Sequence, residues 1–271
     1  MAKVSIIGVG FVGDAMRKSF TVKSIKVYAY DKYKKFNTFK ECLDSNFMFL
    51  CLPTIFNKST FEYDKNPIYE TCEKLVKYNY KGLVIIKSTV EPETTIKLCK
   101  KYSTLKFIHN PEFLTTATAF EDFHNQDHIV LGKGLNITDD EIFELKKFFL
   151  SLYKNADISI CSSIESESMK SFVNCFYAVK IQFFNELYQL CKKNGSDYNT
   201  IKNLMLKNGW INPMHTNVPG PDNQLSYGGN CFPKDTLALL HYMKNNETEH
   251  QVLKATIKER NIMRNDNINI L

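Results

Sequence analysis

The sequence has 271 residues, of which 44% are apolar, so one large domain or two modest ones can bury a core. The net charge of +6 comes without a dense Lys/Arg run, and this composition does not favour nucleic acid as a partner. Because neither a signal peptide nor an apolar run of about 18 residues is found, no membrane association is predicted and the cytoplasm is the expected compartment. The eight cysteines are scattered without a CxxC pair, so neither a metal site nor a disulfide framework is expected.

The first half of the chain alternates strand-like and helical patterns. An apolar helical pattern runs from Phe11 to Phe20, and a second helix is predicted over residues 67–78. The predicted strands cover residues 3–7, 25–31, 47–52, 82–87, 106–108 and 128–132. This alternation predicts an α/β fold, in which residues 1–160 form a Rossmann-type domain around an open parallel sheet.

The pattern changes to helices alone in the second half. Ser162 and Glu165 have the spacing of a capping box, and no Gly or Pro interrupts the chain from there to Lys193. A helix of about 30 residues is about 45 Å long, which is typical of helices that span two domains or two subunits. Further helices are predicted over residues 197–207, 235–245 and 247–264, so residues 161–271 are expected to form an all-helical domain.

A glycine-rich loop follows the first predicted strand. Gly8, Gly10 and Gly13 form a G-x-G-x-x-G pattern between a strand and a helix, and Asp31 ends the next strand. In this pattern the first glycine allows a tight turn, the second lets a pyrophosphate approach, and the third lets helix and strand pack closely. A carboxylate at Asp31 would bind both ribose hydroxyls and repel a 2′-phosphate, so the predicted cofactor is NAD rather than NADP.

Three further segments are unusual. They are Asn110-Pro-Glu-Phe-Leu114, Lys170-Ser-Phe-Val-Asn174, and Gly228-Gly-Asn-Cys-Phe-Pro-Lys-Asp235. With these segments the chain resembles the UDP-glucose/GDP-mannose dehydrogenase family, from residue 3 to about residue 265. Lys87-Ser-Thr-Val90 and Val218-Pro-Gly-Pro-Asp222 also look like that family.

The resemblance implies a four-electron oxidation of the C6 alcohol of a nucleotide sugar, with UDP-glucose favoured as substrate. In that chemistry the Cys231 thiolate adds to an aldehyde and gives a thiohemiacetal; loss of hydride to NAD then gives a thioester, which water hydrolyses. The resemblance assigns catalytic roles to Cys231, Lys170, Asn174, Asp235, Thr89 and Glu112. It assigns cofactor binding to Gly8, Gly10, Phe11, Val12, Gly13, Asp31, Thr54, Ser88, Thr89 and Lys234. It assigns substrate binding to Glu112, Phe113, Leu114, Lys170, Asn174, Tyr227, Gly228 and Cys231.

The sequence departs from the family in three ways. The family's second glutamate, implicated in proton transfer and thioester hydrolysis, is replaced by Thr116, so hydrolysis is expected to be slow or to use Asp235 or Glu112. Trp210 stands near the position of an arginine that reaches the sugar. The chain ends at Leu271, whereas relatives continue into another α/β domain. A compact variant, a nucleotide held by another subunit and a loss of activity are the alternatives.

Other functions compete with this interpretation. A β-hydroxyacid-type dehydrogenase would share the glycine loop and the Lys170/Asn174 spacing without needing Cys231. A non-catalytic NAD-binding protein derived from the enzyme would account for Thr116 and the chain length. In each case the long helix, residues 165–193, is expected to form a homodimer interface.

Overall fold

The computed structural model describes residues 2–264 and Asp266. The chain forms two compact units. The first contains the residues up to Ile55 together with Tyr63–Lys170, and the second contains Phe56–Glu62 together with the residues from Ser171 onward. The predicted boundary at residues 160 and 161 lies shortly before this division, which falls within a helix.

Nine strands and ten α-helices are present in the described residues. The strands are β1 (Val4–Ile7), β2 (Val27–Tyr30), β3 (Phe47–Leu50), β4 (Phe56–Asn57), β5 (Glu62–Tyr63), β6 (Leu83–Ile86), β7 (Lys106–His109), β8 (His128–Lys133) and β9 (Asp157–Ser162). The helices are α1 (Phe11–Val22), α2 (Phe39–Cys42), α3 (Asn66–Lys77), α4 (Thr94–Lys101), α5 (Ala119–His124), α6 (Asp139–Leu152), α7 (Ser163–Asn194), α8 (Tyr198–Leu206), α9 (Phe232–Asn245) and α10 (Gln251–Met263), with a 3₁₀ turn at Thr116–Thr118.

The first unit is built on a seven-stranded sheet of order β2-β1-β3-β6-β7-β8-β9. Next to the edge strand β2, β1 pairs in parallel with both β2 and β3. The predicted parallel α/β sheet is therefore confirmed as a mostly parallel one, with one departure: β8 runs antiparallel to β7. The segment between β7 and β8 contains only a 3₁₀ turn and the six-residue helix α5, and the chain enters β8 at the sheet edge where β7 ended.

Apolar side chains cover both faces of this sheet. In β3, Phe47 and Phe49 belong to one apolar cluster, whereas Met48 and Leu50 belong to the other. Because successive side chains of a strand point to opposite faces, a strand covered on both sides must be apolar throughout. This constraint explains the uninterrupted apolar sequence of β3 and fixes the strand as a central one.

Helix α7 begins and ends where the sequence predicts. The Ser162 amide donates to Glu165 Oε2 over 2.7 Å and the Glu165 amide donates to Ser162 Oγ over 3.3 Å, which is the predicted capping box. At the other end Gly195 follows the helix with φ of +77°, a conformation that glycine adopts without strain.

From Ser171 to Arg264 the regular structure of the second unit consists of helices alone, namely the rest of α7 and then α8, α9 and α10, with an irregular stretch between α8 and α9. One apolar cluster joins Cys175 of α7, Leu237 and Leu240 of α9, and Leu253 and Ile257 of α10. A second cluster forms around Phe184, Cys191 and Tyr198, where α7 meets α8. The all-helical second half is thereby confirmed for these residues. Among the residues that the structure describes, no helix is long and apolar enough to cross a bilayer.

A buried carboxyl group joins α7 to α4 within the first unit. Glu167 is fully buried, and its Oε1 accepts hydrogen bonds from the amide and the hydroxyl of Thr95 over 2.8 and 2.6 Å. Its Oε2 has no hydrogen-bond partner among the described residues. Burial raises the pKa of Glu167 to about 7, against the lowering effect of the Thr95 hydrogen bonds.

The raised pKa makes the stability of the protein depend on pH. A carboxyl whose pKa is higher in the folded state contributes stability that is full below its ordinary pKa of 4.5 and is lost as pH rises through about 7. We expect Glu167→Gln to lose roughly 2 kcal/mol less free energy of unfolding between acidic and mildly alkaline pH than the unmodified protein loses. Urea unfolding at several pH values measures this. The exposed Glu144 offers the control, Glu144→Gln, and parallel pH profiles for all three proteins would contradict the assignment.

Candidate active site

The glycine loop forms the turn between β1 and α1. Gly8 has φ of +92°, and a Cβ there would lie 2.5 Å from the Cys51 carbonyl oxygen. A Cβ at Gly13 would collide with the Gly8 carbonyl oxygen, so this glycine permits helix and strand to pack closely. A Cβ at Gly10 would meet nothing within 4 Å. The open side of Gly10, at the start of α1, leaves room for a phosphate group at a helix N-terminus.

Asp31 lies directly after β2 and faces the glycine loop. Its Oδ2 accepts a hydrogen bond from the Val9 amide over 2.8 Å, and its Oδ1 accepts one from the Tyr33 amide over 2.9 Å. Partial burial opposes ionisation, but these two amides and the Lys34 charge outweigh it and hold the pKa of Asp31 below its usual value. Asp31 is therefore a carboxylate at neutral pH, as recognition of ribose hydroxyls requires.

The next predicted cofactor residues lie where β3 and β6 end. Ser88 Oγ donates to the Leu52 carbonyl over 2.7 Å and accepts from the Leu52 amide over 2.9 Å. Thr54 Oγ1 donates to the Thr89 carbonyl over 2.7 Å. These bonds hold the chain segments that follow two neighbouring strands together. Phe11 and Phe113 are 47% and 40% exposed, so part of each ring is accessible to a ligand.

Glu112 and Lys170 form an ion pair within the first unit. Lys170 Nζ lies 3.3 Å from Glu112 Oε1, and both side chains are buried. The Glu112 Oε2 accepts a hydrogen bond from the Leu114 amide over 2.6 Å, and the Lys170 ammonium lies 5.4 Å from the centre of the Phe113 ring. The segment Glu112–Leu114 and Lys170, all predicted to contact the substrate, are thus brought together.

Lys87, which the sequence analysis gave no role, lies beside this ion pair. Its ammonium donates to Asn110 Oδ1 over 3.1 Å and to the Pro111 carbonyl over 3.0 Å. Burial lowers the pKa of Lys87 to about 8, and the neighbouring Glu112 charge opposes this effect. A pocket of about 440 Å³ opens here, lined by Lys87, Pro111–Leu114, Glu121–Phe123 and Asn125–His128. The sequence motif contained Lys87, but only the fold reveals that it is buried.

Cys231 lies at the N-terminus of α9, as the residue preceding Phe232. Its carbonyl accepts a hydrogen bond from the Asp235 amide over 3.0 Å, so Asp235 lies one turn into the helix. Cys231 is half-buried, whereas Cys175 and Cys191 are buried. The amides at a helix N-terminus favour a negatively charged group.

Asp235 is held by two polar neighbours in the second unit. Asn174 Nδ2 donates to Asp235 Oδ2 over 2.6 Å, and Lys234 Nζ lies 2.5 Å from Asp235 Oδ1. Asp235 is completely buried, so its carboxylate depends on these contacts to offset desolvation. Asn174 and Asp235, both predicted to be catalytic, are brought together. The sequence prediction that Lys234 binds the cofactor is not tested by this contact.

Of the remaining residues named from the sequence, two are exposed to solvent and two are packed among other side chains. Thr116 is exposed in the 3₁₀ turn, and Trp210 is 90% exposed. Tyr227 is buried, and the adjacent Gly228 packs against the Arg264 guanidinium, where a Cβ would collide with it. Among the described residues no group of three or more His, Cys, Asp or Glu side chains could hold a metal ion.

The geometry of the first unit is that of a dinucleotide-binding α/β domain, and the second unit adds a cysteine at a helix N-terminus. Two domain profiles of one family match the chain: the NAD binding domain of the UDP-glucose/GDP-mannose dehydrogenase family over residues 32–155, and the central domain of that family over residues 164–261. The chain belongs to the UDP-glucose/GDP-mannose dehydrogenase family. NAD is accordingly the cofactor of the first unit, and the open Gly10 and the ionised Asp31 fit it.

Curated relatives agree with this assignment. The UDP-glucose 6-dehydrogenase of Rickettsia bellii is 34% identical over 234 residues, covering 83% of this chain and 51% of that protein. The UDP-glucose 6-dehydrogenase of Rickettsia felis is 33% identical over 208 residues, covering 74% of this chain and 45% of that protein. The chain therefore spans about half the length of these relatives.

Solved structures share the fold. A UDP-glucose dehydrogenase from Pyrobaculum islandicum superposes with a TM-score of 0.83 at 24% identity, covering 97% of this chain and 68% of that one. A 3-hydroxyisobutyrate dehydrogenase from Mycobacterium tuberculosis gives a TM-score of 0.75 at 13% identity, covering 100% of this chain and 96% of that one. At these identities the likeness shows the fold alone.

The glycine loop offers a matched pair of substitutions. Gly10→Ala adds a methyl group to open space, so we expect nearly unchanged stability but about tenfold or more weaker NAD binding, because the methyl group lies where the pyrophosphate approaches. Gly13→Ala is expected to destabilise the protein by about 1–3 kcal/mol, because its methyl group collides with the Gly8 carbonyl. Calorimetric NAD titration and thermal unfolding separate the two effects; unaltered NAD affinity in Gly10→Ala would refute the first.

Proposed function

We propose that this chain catalyses the NAD-dependent oxidation of the C6 hydroxyl of a nucleotide sugar, with UDP-glucose as substrate and UDP-glucuronate as product. The observation that carries the proposal is the position of Cys231 at the N-terminus of α9, one turn before the buried Asp235. A thiolate at this position is favoured by the helix amides. The matched family and the named activity of the relatives support the same reaction.

The proposed role of Cys231 is covalent. Its thiolate adds to the carbonyl carbon of the C6 aldehyde, and loss of hydride from the resulting thiohemiacetal leaves a thioester. Water then attacks the thioester carbonyl, the C–S bond breaks, and the thiolate is restored. NAD supplies the hydride acceptor for each of the two oxidations.

The other predicted residues would stabilise developing negative charge, orient a water or bind the cofactor. Lys170, whose ammonium lies beside Glu112, would stabilise a developing oxyanion. Asn174 and Asp235 would orient a hydroxyl or a water, since their hydrogen bond fixes the orientation of both side chains. Thr89 would hold a water near the nicotinamide. Asp31 and the glycine loop would fix the adenosine ribose and the pyrophosphate.

Cys231→Ser tests the covalent route. We expect the unmodified protein to produce two NADH per UDP-glucose, and the variant to form carboxylate about a thousandfold or more slowly, because a serine hydroxyl is a far weaker nucleophile. NADH absorbance and chromatography of the sugar product measure both. Cys191→Ser, which changes a buried cysteine outside the proposed site, is the control. Full activity in Cys231→Ser with a β-hydroxyacid would instead support the hydroxyacid dehydrogenase alternative, and NAD binding without turnover on any sugar would support a non-catalytic protein.

The same experiment examines the role of Thr116. If the missing glutamate slows hydrolysis, the thioester accumulates and intact-protein mass spectrometry detects the added sugar nucleotide on Cys231. Rapid steady turnover without such an adduct would contradict slow hydrolysis.

We also propose that α7 forms a homodimer interface. Phe172, Phe176, Phe183 and Leu190 are each more than half exposed on this helix. Steps of four and seven residues keep these side chains on one face, so they form a continuous apolar stripe. Covering such a stripe with a second copy removes apolar surface from water, which is the main driving force of association.

A charge within the stripe should disrupt the dimer. We expect Phe176→Glu to convert a species of about twice 31.4 kDa into one of 31.4 kDa in light scattering coupled to size exclusion. Gln189→Glu introduces the same carboxylate on another side of α7 and is expected to leave the mass unchanged. A monomeric unmodified protein at micromolar concentration would refute the interface.

A further inference from the structure

The segment before Cys231 has no helix or strand to hold it. Residues 222–230 lie between the turn at Gly220 and α9, and Ser226 and Gly229 adopt φ of +57° and +76°. Backbone polar groups outside regular structure need other partners when they are buried. The position of Cys231 therefore depends on whatever binds this segment.

Two arginines bind it: Arg260 of α10 and Arg264, the residue that follows α10. Arg264 Nη1 donates to the Leu225 and Ser226 carbonyls over 3.2 and 3.3 Å, and Arg264 Nη2 pairs with Asp222. Arg260 Nε donates to the Tyr227 carbonyl over 3.1 Å. Three consecutive carbonyls of the segment are thus held by guanidinium groups.

The fit between Arg264 and the segment is close. Because a Cβ at Gly228 would overlap the Arg264 guanidinium, only glycine leaves space for the arginine there. The glycine at this position of the cysteine motif is thereby explained by an internal contact.

Helix α7 holds the same segment by two further bonds. The Ser226 amide donates to Asn185 Oδ1 over 2.8 Å, and Ser226 Oγ donates to Gln182 Oε1 over 2.6 Å. Gln182 and Asn185 are 2% and 1% exposed. The segment is consequently bound by α7 and by α10 at once.

The buried arginine charges make movement of this segment energetically unfavourable. Arg260 and Arg264 are 2% and 6% exposed, and both pair with Asp266, while Arg264 also pairs with Asp222. Moving the segment would take its carbonyl acceptors away from both buried guanidinium groups and the Asp222 carboxylate away from Arg264, which is unfavourable.

We propose that Arg260 and Arg264 are positioning residues that hold the segment 222–230 and thereby fix Cys231 at the start of α9. They act on the reaction through the cysteine and do not contact the substrate. The inference rests on the proposed catalytic use of Cys231. It gives the end of α10 a role in the reactivity of this cysteine, in addition to its packing against α9.

The test uses the full chain and a readout that needs neither NAD nor sugar. We expect Arg264→Gln to lower the rate of Cys231 alkylation by iodoacetamide at neutral pH by about fivefold or more, because the sulfur leaves the amides of α9 that favour the thiolate. Peptide mass spectrometry gives the rate for this cysteine alone. Turnover is expected to fall by about tenfold or more, with the KM for NAD unchanged. Arg264→Lys retains the charge for Asp222 and is expected to restore part of both.

Ile257→Val is the matched control, because it weakens the apolar packing of α10 without touching the segment. Thermal unfolding of each variant shows whether the variant is folded under the conditions in which the alkylation rates are compared. A Cys231 alkylation rate that is unchanged or raised in Arg264→Gln, or lowered equally in Ile257→Val, overturns the positioning role. Failure of the proposed covalent route is recognised separately. In that case Cys231→Ser keeps full activity, while the effect of Arg264→Gln on Cys231 alkylation remains.

Discussion

The residues of the candidate active site depend on one constraint. A charged side chain can be buried only where a neighbouring charge or hydrogen-bond partner offsets its loss of water. Asp235 is completely buried, and the Asn174 amide and the Lys234 ammonium beside it help to offset the loss of water around its carboxyl group. The ion pair of Glu112 and Lys170 follows the same rule in the first unit. Such groups cannot take up alternative rotamers cheaply, so each pair is held in one arrangement. Rigid orientation of polar groups is what a site that stabilises developing charge requires.

Much of the fold could be predicted because its signals are local. The apolar run of β3, the glycine loop before α1 and the capping box at Ser162 each depend on neighbours within a few residues. The antiparallel direction of β8 was not predicted, since strand direction depends on where the preceding segment crosses the sheet and not on the strand's own sequence. Strands β4, β5 and β9 and helices α2, α4, α5 and α6 were also missed. Of these, α6 begins with a capping box at Thr138 and Glu141, a signal that was available.

The residues of the candidate site likewise fall into two groups, those that sequence motifs predict and those that only the fold reveals. Motifs with fixed spacing named Gly10, Asp31, Glu112, Lys170 and Cys231, because their chemistry depends on short sequence patterns. Arg260 and Arg264 lie in no such motif, and the motif that contains Lys87 did not reveal its burial. An isolated arginine or lysine in a sequence is usually solvated, and its burial becomes visible only when distant segments are brought together: Arg264 and Ser226 are 38 residues apart in the chain.

The reversal of β8 has a consequence for the pocket beside Lys87. In a parallel sheet, each strand brings to one edge only the loop that follows it. Because β8 runs the other way, it brings to that edge the residues that precede it, 121–127, opposite the residues that follow β6 and β7. One wall of the pocket is thus separate in sequence from the strands that carry the motifs of the predicted site. Substitutions between α5 and β8 can therefore reshape the pocket while the glycine loop and the buried lysine stay as they are, so the shape of the pocket can diverge independently of the glycine loop.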